Sequence, residues 1–400
     1  MTHVFIYDAL RSPRAKGRPG GGLSSLLPHQ LVAQLVDALR SRLGEDVIDS
    51  VESINLSCVG QIGPQGGHLA LVSKLEAGLP RTATAQTINN FCVGGLTAIG
   101  NSFAAIASGQ VSVSIAGGIE MMSHVPFLHD GASYYTDDEV ATRLRFAPVG
   151  VAADHLAVRH GITRDVLDAV AIESHRRAER AWSEGKYDNQ VVAVRAQDGA
   201  LLLDRDETIK ADLEQQNLDS LDPVFASMGA DRYDEILAGP GSEPIEHRHT
   251  IAHCPPIADG ASLLLLGNAD VGARFGLTPL ARLDAVVDAG GDEVAQLTAG
   301  EFAMTRVLER TGRSLGEMQL IEYMEAFAVI PAMFHAHHDI DPDRINPNGG
   351  HLAMGHPMGA TGAILVTAAA HELDRTGSDL GLVVAHGGSG VGAAAILSRP

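Results

Sequence analysis

Cysteine is scarce in this 400-residue chain, which has three: Cys58, Cys92 and Cys254. They are odd in number and far apart. Such spacing gives neither a zinc site nor a disulfide framework, and it fits a reducing cytosol. Long apolar runs are also missing. None approaches the roughly 18 uninterrupted apolar residues of a membrane-spanning helix. The opening "MTHVFIYDALRSPRAKG" lacks the order and length of a secretory signal. Positive charge is short, with 29 Lys and Arg against 49 Asp and Glu, a net charge of -20. That balance argues against nucleic acid or an anionic membrane as a partner, and leaves an anionic small ligand to a local basic patch. Aromatic residues make up only 4%, too few to argue for a stacking cage from sequence.

Apolar residues (45%) and glycine (44 residues) are abundant. The length predicts two or three compact units, and the glycines predict many tight turns. "HVFIYDA" (3–9) reads as a strand, "PHQLVAQLVDALRSRL" (28–43) as a helix, and "DSVESINLSCVG" (49–60) as a turn into a strand. "LTAIGNSFAAIASG" (96–109) spaces Leu96, Ile99, Phe103 and Ile106 by three and four and stops at a glycine, as helices do. "VSVSIAGGIE" (111–120) is a strand. Together these give a βαβ rhythm and an α/β class with helices on both sheet faces. From about 121 to 250 the chain is richer in charge and helix formers. It includes the amphipathic "TRDVLDAVAIESHRRAERAW" (163–182) and the acidic "DRDETIKADLEQQNLDSLD" (204–222), which reads as surface. The rhythm then returns. "ADGASLLLLGNADVGARFG" (258–276) is read as helix then strand, "LARLDAVVDAGG" (280–291) as a new strand-led unit, "QLIEYMEAFA" (319–328) as a strand into a turn, and "GLVVAHGGSGVGAAAILS" (381–398) as two strands bent at glycine. The likeness of the two ends points to an internal duplication.

Two short stretches carry chemistry. Cys92 in "NNFCVGG" precedes a glycine pair and a helix start. The unpaired N–H groups of a helix N-terminus favour a thiolate, and glycine lets a substrate approach the backbone. The alternative for Cys92 is a buried structural thiol. His356 lies in "NPNGGHLAMGHPMGATGA" (346–363), between Gly355 and Pro357 and before a second helix. A histidine held at a glycine turn is placed to act as a base.

These stretches together resemble the thiolase superfamily. "NNFCVGG" is similar to its nucleophile segment, and "NPNGGHLAMGHPMGATG" to its NxxGG…GHPxGxTG signature. "RSPRAKG" (11–17), "AGGIEMMSHVPF" (116–127), "ADGASLLLL" (258–266) and "MEAFA" (324–328) resemble further landmarks in the same order. The resemblance implies a five-layer αβαβα thiolase fold of two similar halves. The halves would be 1–120 plus 251–270 and 271–400, with a substrate-binding loop domain at 121–250. It implies acyl transfer between coenzyme A thioesters with no bound cofactor or metal, and a homodimer or homotetramer. Cys92 would carry the acyl group, His356 would take its proton, and the amides of Cys92 and Gly388 would hold the oxyanion.

The sequence departs from that pattern twice. The family's second cysteine falls on Val384 or Ala385, and the Asn or His of its (N/H)EAF motif is Met324, which cannot donate a hydrogen bond. His386, one or two residues on, is then a candidate replacement for the missing thiol, because imidazole titrates near neutrality. Glu325 is retained as an orienting residue. Met324, His124 and Arg248 are the substrate-binding candidates, His124 towards the acyl pocket and Arg248 towards the CoA phosphates. "FHAHHDID" (334–341) matches no standard metal spacing and reads as a solvated loop. Three functions follow: a thiolase; an acyltransferase passing its acyl group to a non-CoA carbon nucleophile, with an accessory protein; and a non-catalytic acyl-CoA-binding subunit.

Overall fold

The computed structural model describes residues 2–239, 241 and 245–400. Its nine principal strands are β1 (Val4–Arg11), β2 (Ser53–Ser57), β3 (Thr84–Ile88), β4 (Val113–Met121), β5 (Ala258–Gly267), β6 (Ala281–Gly290), β7 (Leu320–Tyr323), β8 (Leu380–His386) and β9 (Val391–Ser398). They run in the order β7-β8-β9-β6-β1-β5-β4-β2-β3.

The duplication expected from sequence is visible in this order. In the first half β2 and β4 are parallel, and β4–β5 and β5–β1 are antiparallel. In the second half β7 and β8 are parallel, and β8–β9 and β9–β6 are antiparallel. The first half adds β3, parallel to β2. A short antiparallel pairing, Val4↔Leu283, Phe5↔Arg282 and Ile6↔Ala281, joins the two sheets.

The main helices are α1 (Pro28–Leu43), α2 (Gly94–Ala107), α3 (Arg164–Ser183), α4 (Ala299–Thr311) and α5 (Met358–Thr376). In α1 the residues at helical spacing, Leu31, Val32, Leu35, Val36 and Leu39, are all buried, Pro28 opens the first turn and Gly44 ends it at φ 98°. This helix covers the outer face of the first sheet, and α4 covers that of the second. Between the sheets lie α2 and α5, and α5 is buried along most of its length. The arrangement is the five-layer αβαβα fold.

The central helices meet through glycine. A Cβ on Gly362 would lie 2.4 Å from the Leu96 nitrogen, and one on Gly95 would lie 2.7 Å from the Ala363 nitrogen. Real Cβ atoms do not approach that closely, and the obstacle is backbone, which cannot swing away. Side chains here would push α2 and α5 apart.

Two readings are corrected. Residues 258–276 form strand then helix (β5, then Ala269–Phe275), the reverse of the expected order. The leucine run is buried on both faces of a strand between two others, where alternation disappears and the helical and strand patterns look alike. The acidic stretch 204–222 is not all surface. Asp206 is buried and takes a bidentate pair from Arg11 (2.8 and 2.9 Å) and the Arg14 amide (2.8 Å). The chain leaves the first sheet at Met121 and re-enters it at Ala258, and α3 lies in the segment between.

Gly362→Ala is expected to destabilise the protein by about 1–3 kcal/mol or more through this clash. Gly316→Ala, with open space around its Cβ, serves as the control. Equal denaturation midpoints for the two variants would contradict the close approach of the helices.

Candidate active site

The end of β3 delivers Cys92 through a strained turn. Phe91 has φ 47°, a left-handed conformation that bulky residues avoid, at a cost of roughly 1–3 kcal/mol. Local bonds hold it there. The Phe91 amide donates to Asn89 Oδ1 (3.0 Å), and Asn90 Nδ2 donates to Thr97 Oγ1 on α2 (2.9 Å). Cys92 therefore sits two residues before α2, half-buried.

His356 arrives in the corresponding way, two residues before α5. Gly355 turns the chain at φ 91°, and the His356 amide donates to the Pro256 carbonyl (2.9 Å). Its Nδ1 lies 2.7 Å from Thr361 Oγ1. When Nδ1–H donates to that hydroxyl, Nε2 is left as the basic nitrogen. Cys92 and His356 line one cavity of about 410 Å³.

Burial overrides the helix-end effect on the thiol. It pushes Cys92 up to about 12; the nearby amides of Gly388 and of Cys92 itself pull the other way, and the charge of Glu120 adds to the rise. The expected low thiol pKa is thus corrected. Burial, with a smaller contribution from the Arg14 charge, brings His356 down to about 3. At neutral pH the pair rests as thiol and imidazole, not as thiolate and imidazolium. Arg14 is itself buried and donates to the Gly355 carbonyl (3.1 Å).

Gly388 and Cys92 line the cavity together with His356, and the backbone of both lies near enough to the sulfur to act on it. The turn carrying Gly388 is pinned: Ser389 is held at φ 57°, its amide donates to Gln296 Oε1 (3.2 Å), and Tyr134 Oη donates to its hydroxyl (2.9 Å).

The remaining candidates lie elsewhere. Glu325 is buried and accepts from Ser174 Oγ (2.6 Å), Asn346 Nδ2 (3.1 Å) and the Leu352 amide (3.1 Å), so it holds the segment that leads to His356. Met324 is fully buried in the core, and its sulfur accepts the His386 amide (3.2 Å). His386 does not line the cavity. Its ring packs on Tyr323 (4.8 Å between centroids), and a Cβ on Gly300 would meet it at 2.5 Å. Neither ring nitrogen has a hydrogen-bond partner of good geometry, and burial lowers its pKa to about 4 against the opposing charge of Glu301 and the nearby Leu297 carbonyl. The idea that His386 replaces the missing cysteine is therefore corrected: strand alternation turns the side chain into the core beneath α4. His124 is tied to the Leu26 carbonyl (2.8 Å), and Arg248 to the Ile162 carbonyl (2.7 Å) and Glu246 (2.7 Å); neither lines the cavity. Residues 334–337 of the histidine-rich stretch belong to a helix, Val329–His337, rather than a loop.

Three further features stand out, of which Glu120 and the aromatic wall escaped the sequence reading, while Cys254 was legible there as a residue that could line a pocket. The first is Glu120, fully buried at the end of β4. It accepts from the amides of Val59 (2.8 Å), Gly60 (3.0 Å) and Gly359 (3.1 Å) and from Gln65 Nε2 (2.8 Å). It thereby ties β4 to the first turn of α5. A lone acid closing an otherwise uncharged strand was the available signal. The second is Cys254, which lines the cavity and donates to the Thr250 carbonyl (3.3 Å). The third is an aromatic wall. The chain has ten Phe and six Tyr, and seven of these sixteen line the cavity: Phe91, Phe127, Tyr134, Tyr135, Phe146, Phe225 and Phe327.

A duplicated αβαβα fold with a cysteine and a histidine at the starts of its two central helices defines an acyl-transferring enzyme, and the chain belongs to the thiolase family. Residues 4–231 match "Thiolase, N-terminal domain" and residues 277–399 match "Thiolase, C-terminal domain". It is 31% identical to a 3-ketoacyl-CoA thiolase of Marinomonas sp., covering 99% of this chain and 98% of the relative. It is 32% identical to a 3-ketoacyl-CoA thiolase of Psychrobacter cryohalolentis (99% and 98%) and 32% identical to a beta-ketoadipyl-CoA thiolase of Pseudomonas putida (100% of each). The protein is a thiolase-type acyltransferase.

Two variants test this description. Glu120→Gln sets an amide group against four donors and is expected to cost about 1–3 kcal/mol, read as a lower denaturation midpoint. For His386, the folded pKa lies below the unfolded value of about 6.5. Its neutral ring thus loses stability as pH falls from about 6.5 towards 4. His386→Leu should gain on the order of 1 kcal/mol at pH 5 relative to its effect at pH 7.5, while keeping turnover within about threefold. A melting-temperature difference that does not widen at pH 5 would count against this burial, and loss of turnover would restore His386 to the chemistry.

Proposed function

We propose that this chain cleaves a 3-ketoacyl-CoA with CoA, or runs the reverse Claisen condensation, through an acyl-enzyme on Cys92. The convergence of Cys92, His356 and the Gly388 and Cys92 amides on one cavity carries the reading. In the first step the Cys92 sulfur attacks the 3-keto carbon, and its proton passes to His356 Nε2. The two amides receive the oxyanion. Collapse breaks the bond between the keto carbon and the α-carbon, and His356 returns the proton to that α-carbon, releasing acetyl-CoA. In the second step CoA–SH gives its proton to His356, and its sulfur attacks the Cys92 thioester. The acyl-CoA leaves as Cys92 is reprotonated.

One histidine can serve both steps because the proton that it gains in each is the one that it returns. This matters here because Val384, Ala385 and Met324 are core residues that offer no second acid. A low imidazole pKa suits the role, since an imidazolium of that acidity readily protonates a carbanion. Neither step calls for a metal or a redox group. The names of the relatives support CoA as the acceptor; nothing supports a non-CoA nucleophile with an accessory protein, or a non-catalytic subunit. The three unpaired cysteines support a reducing cytoplasm. Among the described residues β3 lies at one edge of the sheet with its outer side unpaired, and an unpaired edge is compatible with a strand-to-strand homodimer. No described helix is long and apolar enough to cross a membrane.

The test is loss of 3-keto thioester absorbance from a 3-ketoacyl-CoA, with and without CoA, alongside intact mass. Loss that requires CoA, and an acyl adduct that disappears in Cys92→Ala, are expected. His356→Ala should lower turnover by about 100-fold or more. An acyl adduct that persists in Cys92→Ala would refute the assignment.

A further inference from the structure

The cavity that Cys92 and His356 share is lined mainly by aromatic and aliphatic side chains. Among the described residues its lining holds no Asp, Glu, Lys or Arg. Its polar groups are few, and several are already committed: Tyr134 to Ser389, Cys254 to Thr250, and Gln296 to Ala147 (2.7 Å) and Ser389. The aromatic wall is built, not incidental. Tyr134 and Tyr135 stand against Phe146 at 5.1 and 5.7 Å, and Phe225 meets Phe327 edge-on at 6.1 Å. A Cβ on Gly150 would meet the Phe225 ring at 2.2 Å, so that ring is seated on a helix that leaves room for it.

We propose, resting on the thiolase reading above, that this wall selects 3-ketoacyl-CoA substrates whose acyl group is bulky, apolar and uncharged at its far end. An acetyl group would leave most of the ring surface uncovered. A terminal carboxylate would enter a cavity without a cation to pair with it, and an unpaired buried charge is strongly disfavoured. The chain thus parts from its relative named for beta-ketoadipyl-CoA, whose substrate ends in a carboxylate.

The experiment compares kcat/KM, with CoA present, for acetoacetyl-CoA, 3-oxooctanoyl-CoA, a phenyl-terminated 3-oxoacyl-CoA and 3-oxoadipyl-CoA. Each added methylene in such a pocket is worth about tenfold or more. The octanoyl and phenyl substrates are therefore expected to exceed both of the others by at least about 100-fold. Phe146→Ala should bring the octanoyl value down by about tenfold or more while Cys92 is still acylated by mass. Phe127→Ala, at a partly exposed position, is the second variant should Phe146→Ala not fold. Cleavage of acetoacetyl-CoA or 3-oxoadipyl-CoA as fast as the apolar substrates would overturn this proposal and leave the thiolase reading standing. No cleavage of any of the four, with no adduct on Cys92, would overturn both.

Discussion

The approach of α2 to α5 is the constraint on which the site depends. Each helix belongs to a different half of the duplicated fold, and each carries one reacting residue two positions ahead of its first turn. The distance between Cys92 and His356, the proposed nucleophile and base, is therefore set by how closely two backbones pass, not by any direct bond between the two side chains. Gly95 and Gly362 allow that passage, because a methyl group on either would meet backbone of the opposite helix. The same closeness lets one residue brace both sides: Glu120, at the end of a first-half strand, reaches the Gly359 amide in the first turn of α5.

Placing the pair between two sheets has an electrostatic consequence. The start of a helix favours a thiolate by a modest interaction, whereas removal from water opposes any charge more strongly. Here removal from water prevails for both partners, raising the thiol and lowering the imidazole. A neutral resting pair protects the cysteine from stray electrophiles, since the thiolate is the reactive form. In the mechanism proposed above, it also moves the creation of charge to the moment when a thioester is bound and the Gly388 and Cys92 amides have an oxyanion to stabilise. The donors are already held in place by the Gln296 and Tyr134 bonds to Ser389, so little reorganisation is needed at that moment.

What the sequence revealed follows how local each cause was. Helix α1 was legible to its ends because proline, apolar spacing and a closing glycine all act within a turn or two. Cys92 and His356 were legible because glycine turns and helix starts are local as well. Strand β5 was misread because its leucines are buried by neighbours distant in the chain, and nothing local separates such a strand from a buried helix. Asp206 looked like surface for the same reason: its partners, Arg11 and Arg14, lie nearly 200 positions away. His386 shows the sharper failure. Its neighbours in sequence suggested the site, but a strand sends successive side chains to opposite faces. One residue of register then decides between cavity and core.

Aromatic residues show how little composition says about a pocket. At 4% of the chain they offered no cage to argue from, yet nearly half of the Phe and Tyr gather on one cavity. They come from the segment between β4 and β5 and from the turns that carry Cys92 and the residues after β7, so only the fold brings them together. A duplicated core of this kind fixes the chemistry tightly, because any shift of α2 or α5 moves a reacting atom. The segment between β4 and β5 supplies most of the wall, with Phe127, Tyr134, Tyr135, Phe146 and Phe225. That segment and the turn that bears Gly388 are joined where Tyr134 bonds Ser389, so the wall and the site are not built independently.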